Sequence, residues 1–198
     1  MKNQSGFTLI ELMVTVALVG IVVAIGFPAM GDFLRNSRVT SSVNDFVAAT
    51  TVARSEAMKR RAPVTVCTST NSLAATPACD ASGTASWENG WIVFADTDGD
   101  AVVDAGEQLL QRQAPLGNDL SVRTDAAVAK YVSFSGAGRT RSATAPGTVP
   151  GNFVFCDSRG IAASAGASSA RGLNVSRTGR PQTLRQQADI TALGITCP

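Results

Sequence analysis

The chain has 198 residues and a formal net charge of +2, with charged residues at 16% and aromatics at 6%. It contains no histidine, which excludes histidine-based triads, histidine–metal sites and imidazole acid–base chemistry. A length of this order suits one domain with an appendage, and the abundance of small residues suits a β-rich exported domain better than a helical enzyme. The mean hydropathy of +0.12 traces to one segment near the N-terminus.

Residues 12 to 31, between Glu11 and Asp32, carry no formal charge. With Phe7 to Ile10 added upstream, a helix at about 1.5 Å per residue crosses a hydrocarbon core of about 30 Å. Lys2 on the short side keeps the N-terminus cytoplasmic and sends the rest across. A cleaved secretory signal would have a shorter apolar run ending at a small-x-small site. Here the run flows into an amphipathic helix instead. Gly6-Phe7-Thr8-Leu9-Ile10-Glu11 resembles the processing site of type IV prepilins and type II secretion pseudopilins. The resemblance implies that a prepilin peptidase cuts after Gly6 and that Phe7 becomes the N-methylated terminus. It also implies an assembly role for Glu11. A carboxylate in an apolar helix costs on the order of 2.5–3.5 kcal/mol in lipid unless neutralised, and the amine on Phe7 of a neighbouring subunit would neutralise it. The plainer reading is a membrane anchor with Glu11 at the interface.

Beyond the apolar run, Val39, Val43, Phe46, Val47, Thr50, Ala53 and Ala57 recur at three- and four-residue steps and draw one apolar stripe. Pro28 predicts a kink. Lys59, Arg60 and Arg61 form a basic helix end, and Pro63 stops it. The chain therefore divides into a leader at 1–6, a transmembrane helix half at 7–31, an amphipathic half at 32–61 and a head at 62–198. In the head the period changes to two. Strands are predicted at Val64–Cys67, Trp91–Phe94, Leu109–Leu110, Leu120–Val122, Tyr131–Phe134, Phe153–Cys156 and Leu173–Val175. The fold class is α+β: one long N-terminal helix packed on an antiparallel head of two small sheets. Residues Ala143 to Gly151 and Ala162 to Ala170 read as small-residue loops.

Four cysteines allow three pairings, and an exported domain implies disulfides. The sequential pairing, Cys67–Cys79 and Cys156–Cys197, is the one expected here. Each bridge would add about 3–4 kcal/mol by restricting the unfolded chain. Without histidine or a Cys-x-x-Cys pair, zinc is disfavoured, and no cofactor is expected unless calcium binds elsewhere. The candidate for that is Asp96, Asp98, Asp100, Asp104 and Glu107, at positions one, three, five, nine and twelve of an EF-hand-like spacing. Glycine stands at position four and Ala101 at position six, and a strand precedes the loop. An acidic turn with Asp side chains capping backbone amides reads the same residues without a metal.

Charge is segregated: residues 62 to 125 hold nine acids and two bases, and residues 126 to 198 hold two acids and eight bases. The basic part would meet DNA phosphates, anionic lipid or an acidic face of another subunit. A stalk helix, a β-head, an Asp-rich turn and Ser-Arg-Thr-Gly-Arg ahead of the last cysteine are similar to the GspH/FimT/FimU family. That resemblance implies a non-enzymatic minor pilin in the inner membrane, with its head periplasmic, that primes or caps a type IV pilus with other pilin subunits. The alternative within the family is a type II secretion pseudopilin. Some FimT-like members bind DNA through a Gly-Arg-x-Arg motif. Gly179-Arg180-Pro181-Gln182 matches its place, with Gln182 at the second arginine, flanked by Arg171, Arg177 and Arg185. Gly138-Arg139-Thr140-Arg141 is a complete copy earlier in the chain. Either cluster would hold double-stranded DNA by its phosphates without reading bases.

Overall fold

The computed structural model describes residues 6–80, 82–144, 147–161, 163–164 and 167–198. Two compact units result, one ending at Arg38 and one running Val39–Pro198. Helix α1, Leu9–Arg60, runs through both. Residues 1–5 of the expected leader lie outside the described set, as do the side chains of Ile25, Phe27, Pro28 and Ala29. The kink expected at Pro28 therefore falls outside it. Among the described residues no helix is long and apolar enough to cross a membrane.

In the first unit the large apolar side chains are exposed, from Leu9 at 77% to Val23 at 51%. Burial begins at Val39. From there the stripe Val39, Val43, Phe46, Thr50, Ala53 and Ala57, joined by Ala49, is inaccessible or nearly so. Helix α1 ends where Arg61 takes φ 53°, directly before the β-region begins.

Two antiparallel sheets make the head. The first has the order β3-β2-β1-β5-β6, with β1 Val64–Thr68, β2 Trp91–Ala95, β3 Leu109–Gln113, β5 Tyr131–Phe134 and β6 Thr140–Arg141. The second has the order β10-β9-β7-β4, with β8 beside β9. Its strands are β4 Leu120–Thr124, β7 Gly151–Asp157, β8 Ala163–Ser164, β9 Ala167–Val175 and β10 Pro181–Gln186. One face of each sheet closes on the helix stripe. Val64, Val66, Trp91, Val93, Val132 and Phe134 come from the first, and Val122, Phe153, Phe155, Leu173 and Val175 from the second. Phe46 sits at the centre, with ring centroids 5.0 Å from Trp87, 5.2 Å from Trp91 and 4.7 Å from Phe153. Such tilted and edge-on contacts add to what apolar burial alone contributes.

The outer faces are covered too, which is why β1 and β2 are buried at every position. Cys67, Ile92 and Phe94 pack under Cys79, Val103, Leu109 and Tyr131. Val154, Cys156, Ala170 and Ile190 pack under Leu184, Leu193, Ile195 and Cys197. Each disulfide thus fastens a cover to its sheet: Cys67–Cys79 with Cα atoms 5.6 Å apart, and Cys156–Cys197 with 5.8 Å.

One expectation is corrected. The loop expected over Ala162 to Ala170 holds strands where it is described, Ala163–Ser164 and the start of Ala167–Val175. Small residues hide the strand period because the helix α2, Gln187–Thr191, packs close on them. A Cβ at Gly172 would lie 3.1 Å from the Leu184 Cβ and 3.2 Å from the Ile190 Cγ1. Likewise Gly151 opens β7 rather than closing a loop. Strands β6 and β10, helix α2 and the 3₁₀ turns Trp87–Asn89 and Ala126–Val128 were not expected.

Candidate functional site

Three groups of sequence-predicted residues occupy three separate places. The first is the helix start. Thr8 precedes the first helical residue, and the Glu11 backbone N–H donates to Thr8 Oγ1 at 3.3 Å while the Thr8 N–H donates to Glu11 Oε2 at 3.4 Å. This reciprocal pair is a capping box, which satisfies two of the donors that a helix start leaves open. Glu11 therefore has a local role that the sequence reading did not assign. Its charge also suits the positive end of the helix. Phe7 is 83% exposed beside it.

The second group is basic. Gly138 and Gly179 head two tight turns, with φ 72° and 74°. The Gly138 N–H donates to Ser135 O at 2.7 Å between β5 and β6, and the Gly179 N–H donates to Ser176 O at 2.8 Å between β9 and β10. The turns touch. Thr140 donates its N–H to Arg177 O at 3.2 Å, and Arg54 on α1 donates Nε to Gly138 O at 2.9 Å. A Cβ on Gly179 would lie 2.3 Å from that carbonyl, so only glycine permits the approach. The fold thereby brings together two arginine motifs some forty residues apart in sequence, with Arg139, Arg177 and Arg180 all exposed. Arg54 is a member that sequence reasoning missed. It lies on the helix between stripe residues and carries no motif.

The remaining predicted arginines are engaged elsewhere. Arg141 Nη1 donates to Gly99 O at 2.8 Å. Arg171 is half-buried and donates to the Ser168 and Ala170 carbonyls. Burial, then the charges of Arg185 and Arg159, hold its guanidinium below the usual range. Arg185 belongs to this second basic neighbourhood rather than to the paired turns.

The third group is the acidic loop after β2. Asp96 is fully buried, and its Oδ2 accepts from Thr65 Oγ1 at 2.5 Å and from the Ala101 N–H at 3.3 Å. Glu107 accepts from the Thr97 N–H at 2.6 Å and from the Asp104 N–H at 3.1 Å. Ligand oxygens of Asp96, Asp98 and Glu107 lie within 4.8 Å of one another, as do those of Asp98, Asp100 and Asp104. Ala101 takes φ 65°, the left-handed backbone that an EF-hand loop reserves for glycine at this position.

Comparison with known proteins speaks to the family and the fold of the chain. Residues 42–179 match the family model described as type II transport protein GspH, and residues 1–27 match the prokaryotic N-terminal methylation motif. A fimbrial protein of Pseudomonas aeruginosa is 47% identical over 55 residues, 28% of this chain and 36% of its own. Fimbrial protein Q of Moraxella bovis is 38% identical over 63 residues, 32% of this chain and 40% of its own. The chain thus spans little more than a third of the curated relatives it matches. The crystal structure of the type IV minor pilin FimU of Pseudomonas aeruginosa superposes with a TM-score of 0.50 and 19% identity, covering 79% of this chain and 94% of that one. That likeness concerns the fold, and the family model covers more than half of the chain: this protein belongs to the GspH family of pilin-like subunits.

Proposed function

We propose that this chain is a minor subunit of a type IV pilus, held in the inner membrane by the first half of α1 and drawn from it into the filament to prime or cap assembly. The observation that carries the reading is the helix start. An exposed Phe7 adjoins Glu11, ahead of apolar side chains that are exposed throughout the first unit. Exposed apolar surface of that extent marks a face for lipid or for other helices. Cleavage after Gly6 would place a free amine on Phe7, the natural counter-charge for Glu11 of a neighbour. The head stays folded through its own core and two disulfides, as a subunit passing from membrane to filament requires. The family description also keeps open a pseudopilus of type II secretion as the assembly.

Glu11 variants test this reading. Glu11→Gln keeps the capping geometry and removes the charge, whereas Glu11→Ala removes both. If the charge drives assembly, both variants remain membrane-bound and both enter sheared filaments poorly. Wild-type incorporation of Glu11→Gln would reduce Glu11 to a helix cap and overturn the role.

A second reading is supported by the paired turns: that this face holds DNA. Arg139, Arg177 and Arg180 project from two abutting turns without a carboxylate in ion-pair range among the described residues. Each arginine neutralising one phosphate would contribute about 0.9 to the salt slope of log K. Replacing all three with glutamine should cut that slope by roughly 2–3 and abolish gel shifts at moderate salt. Retained binding would clear the paired turns.

A further inference from the structure

We propose that the loop from Asp96 to Glu107 is a calcium site, with Asp96, Asp98 and Glu107 as its carboxylate ligands and Asp100 and Asp104 as the flanking charges. The loop's acidity alone does not carry this, because acidic turns cap their own backbone amides. Asp96 carries it. Its side chain is fully buried, its Oδ2 has two donors, and its Oδ1 has no hydrogen-bond partner. A buried carboxylate oxygen without a donor is costly, yet the neighbours that converge on this carboxylate are two more carboxylates, Asp98 and Glu107, within 4.8 Å. Oxygens that close can share one cation at the 2.3–2.6 Å that calcium prefers.

Arg141 reaches the loop, but its guanidinium is directed to Gly99 O and toward Ser133 Oγ. Ser133 Oγ lies 2.7 Å from Thr65 Oγ1, which helps to hold the Thr65 hydroxyl at Asp96 Oδ2. Magnesium fits less well, since it demands near-ideal octahedral geometry and keeps several waters. Ala101 holds the left-handed turn of such a loop although it carries a Cβ. The Gly99 at position four, also left-handed at φ 81°, lets the Arg141 guanidinium lie directly on the loop backbone.

The experiment is calcium titration of the full chain in detergent after treatment with chelator, read by calorimetry and by melting temperature. The expected result is one ion per chain, and at a hundredfold excess over Kd a rise in Tm of roughly 5–10 °C. Magnesium should give a much smaller rise. Asp98→Asn at an exposed position and Glu107→Gln at a half-buried one should each weaken binding by on the order of tenfold or more while leaving the chelated protein folded. Asp189→Asn, an exposed acid outside the loop, should leave it unchanged. Asp96→Asn should fold in chelator and lose the calcium response; if it does not fold, Asp98→Asn and Glu107→Gln decide. Absence of heat and of any Tm shift at millimolar calcium would overturn the proposal. A calcium-dependent Tm shift that survives Asp98→Asn and Glu107→Gln together would overturn it as well.

Discussion

Replacing Gly179 with alanine should separate the two arginine turns, and its cost can be worked from the geometry. At φ 74° a Cβ is unfavourable by roughly 1–2 kcal/mol through backbone sterics alone. The same atom would stand 2.3 Å from Gly138 O and 3.1 Å from the Arg54 Cδ, so the carbonyl must retreat. Retreat loosens the bonds Arg54 to Gly138 and Thr140 to Arg177, each contributing about 1 kcal/mol. The total is about 2–4 kcal/mol, which for a chain of this size lowers Tm by roughly 5–15 °C. Gly194 supplies the control. Its φ is 71°, but a Cβ there meets nothing within 4 Å. Gly194→Ala should therefore show the backbone cost alone. Thermal melting of the two variants side by side measures the difference. Equal losses would refute the close approach of the turns and with it the joint basic face.

Phe46→Ala removes the ring that touches Trp87, Trp91, Phe153 and Phe155, and should cost about 3–5 kcal/mol in chemical denaturation. A loss under 1 kcal/mol would place the core elsewhere. The two disulfides should differ: their loops of 12 and 41 residues correspond to about 3 and about 4 kcal/mol in the chain-entropy account, so Cys156→Ala with Cys197→Ala should lower Tm more than the other pair of changes. Glu56 is half-buried on α1, and its hydrogen bonds from Arg60 and then Lys59 hold its carboxyl below the usual range. A depressed folded pKa gives stability above the unfolded value that is lost as pH falls through the folded one. The small Tm advantage of the wild type over Glu56→Gln should be present at pH 7 and vanish in acid. An advantage that grows in acid would contradict the pairing.

Much of the fold was legible because it rests on periodicity. Val39 to Ala57 advertised a buried stripe, and Val64, Trp91, Tyr131 and Phe153 belong to strands rich in β-branched and aromatic residues. What stayed hidden was carried by small or polar residues. Ser168, Ala170 and Gly172 alternate inward as a strand does, but their side chains are too small to raise a hydropathy signal, and their smallness is what lets Ile190 pack on them. Strand β10 is polar throughout most of its length because it lies at a sheet edge. The candidate sites divide the same way. Asp96, Asp98 and Glu107 were visible as spacing, but the orphaned Asp96 Oδ1 exists only in the packed loop. The two arginine motifs were visible separately. Their meeting, and the place of Arg54 beneath them, depends on a non-local contact between hairpins of different sheets, which no local pattern encodes.

The most direct measurement of the filament role is the N-terminal peptide of this chain recovered from sheared surface filaments. Mass spectrometry should find a chain that begins at Phe7, carries one methyl group on its amine and lacks Met1–Gly6. A chain in those filaments that retains Met1–Gly6, or absence of the chain from them when its assembly partners are present, would contradict the proposed role.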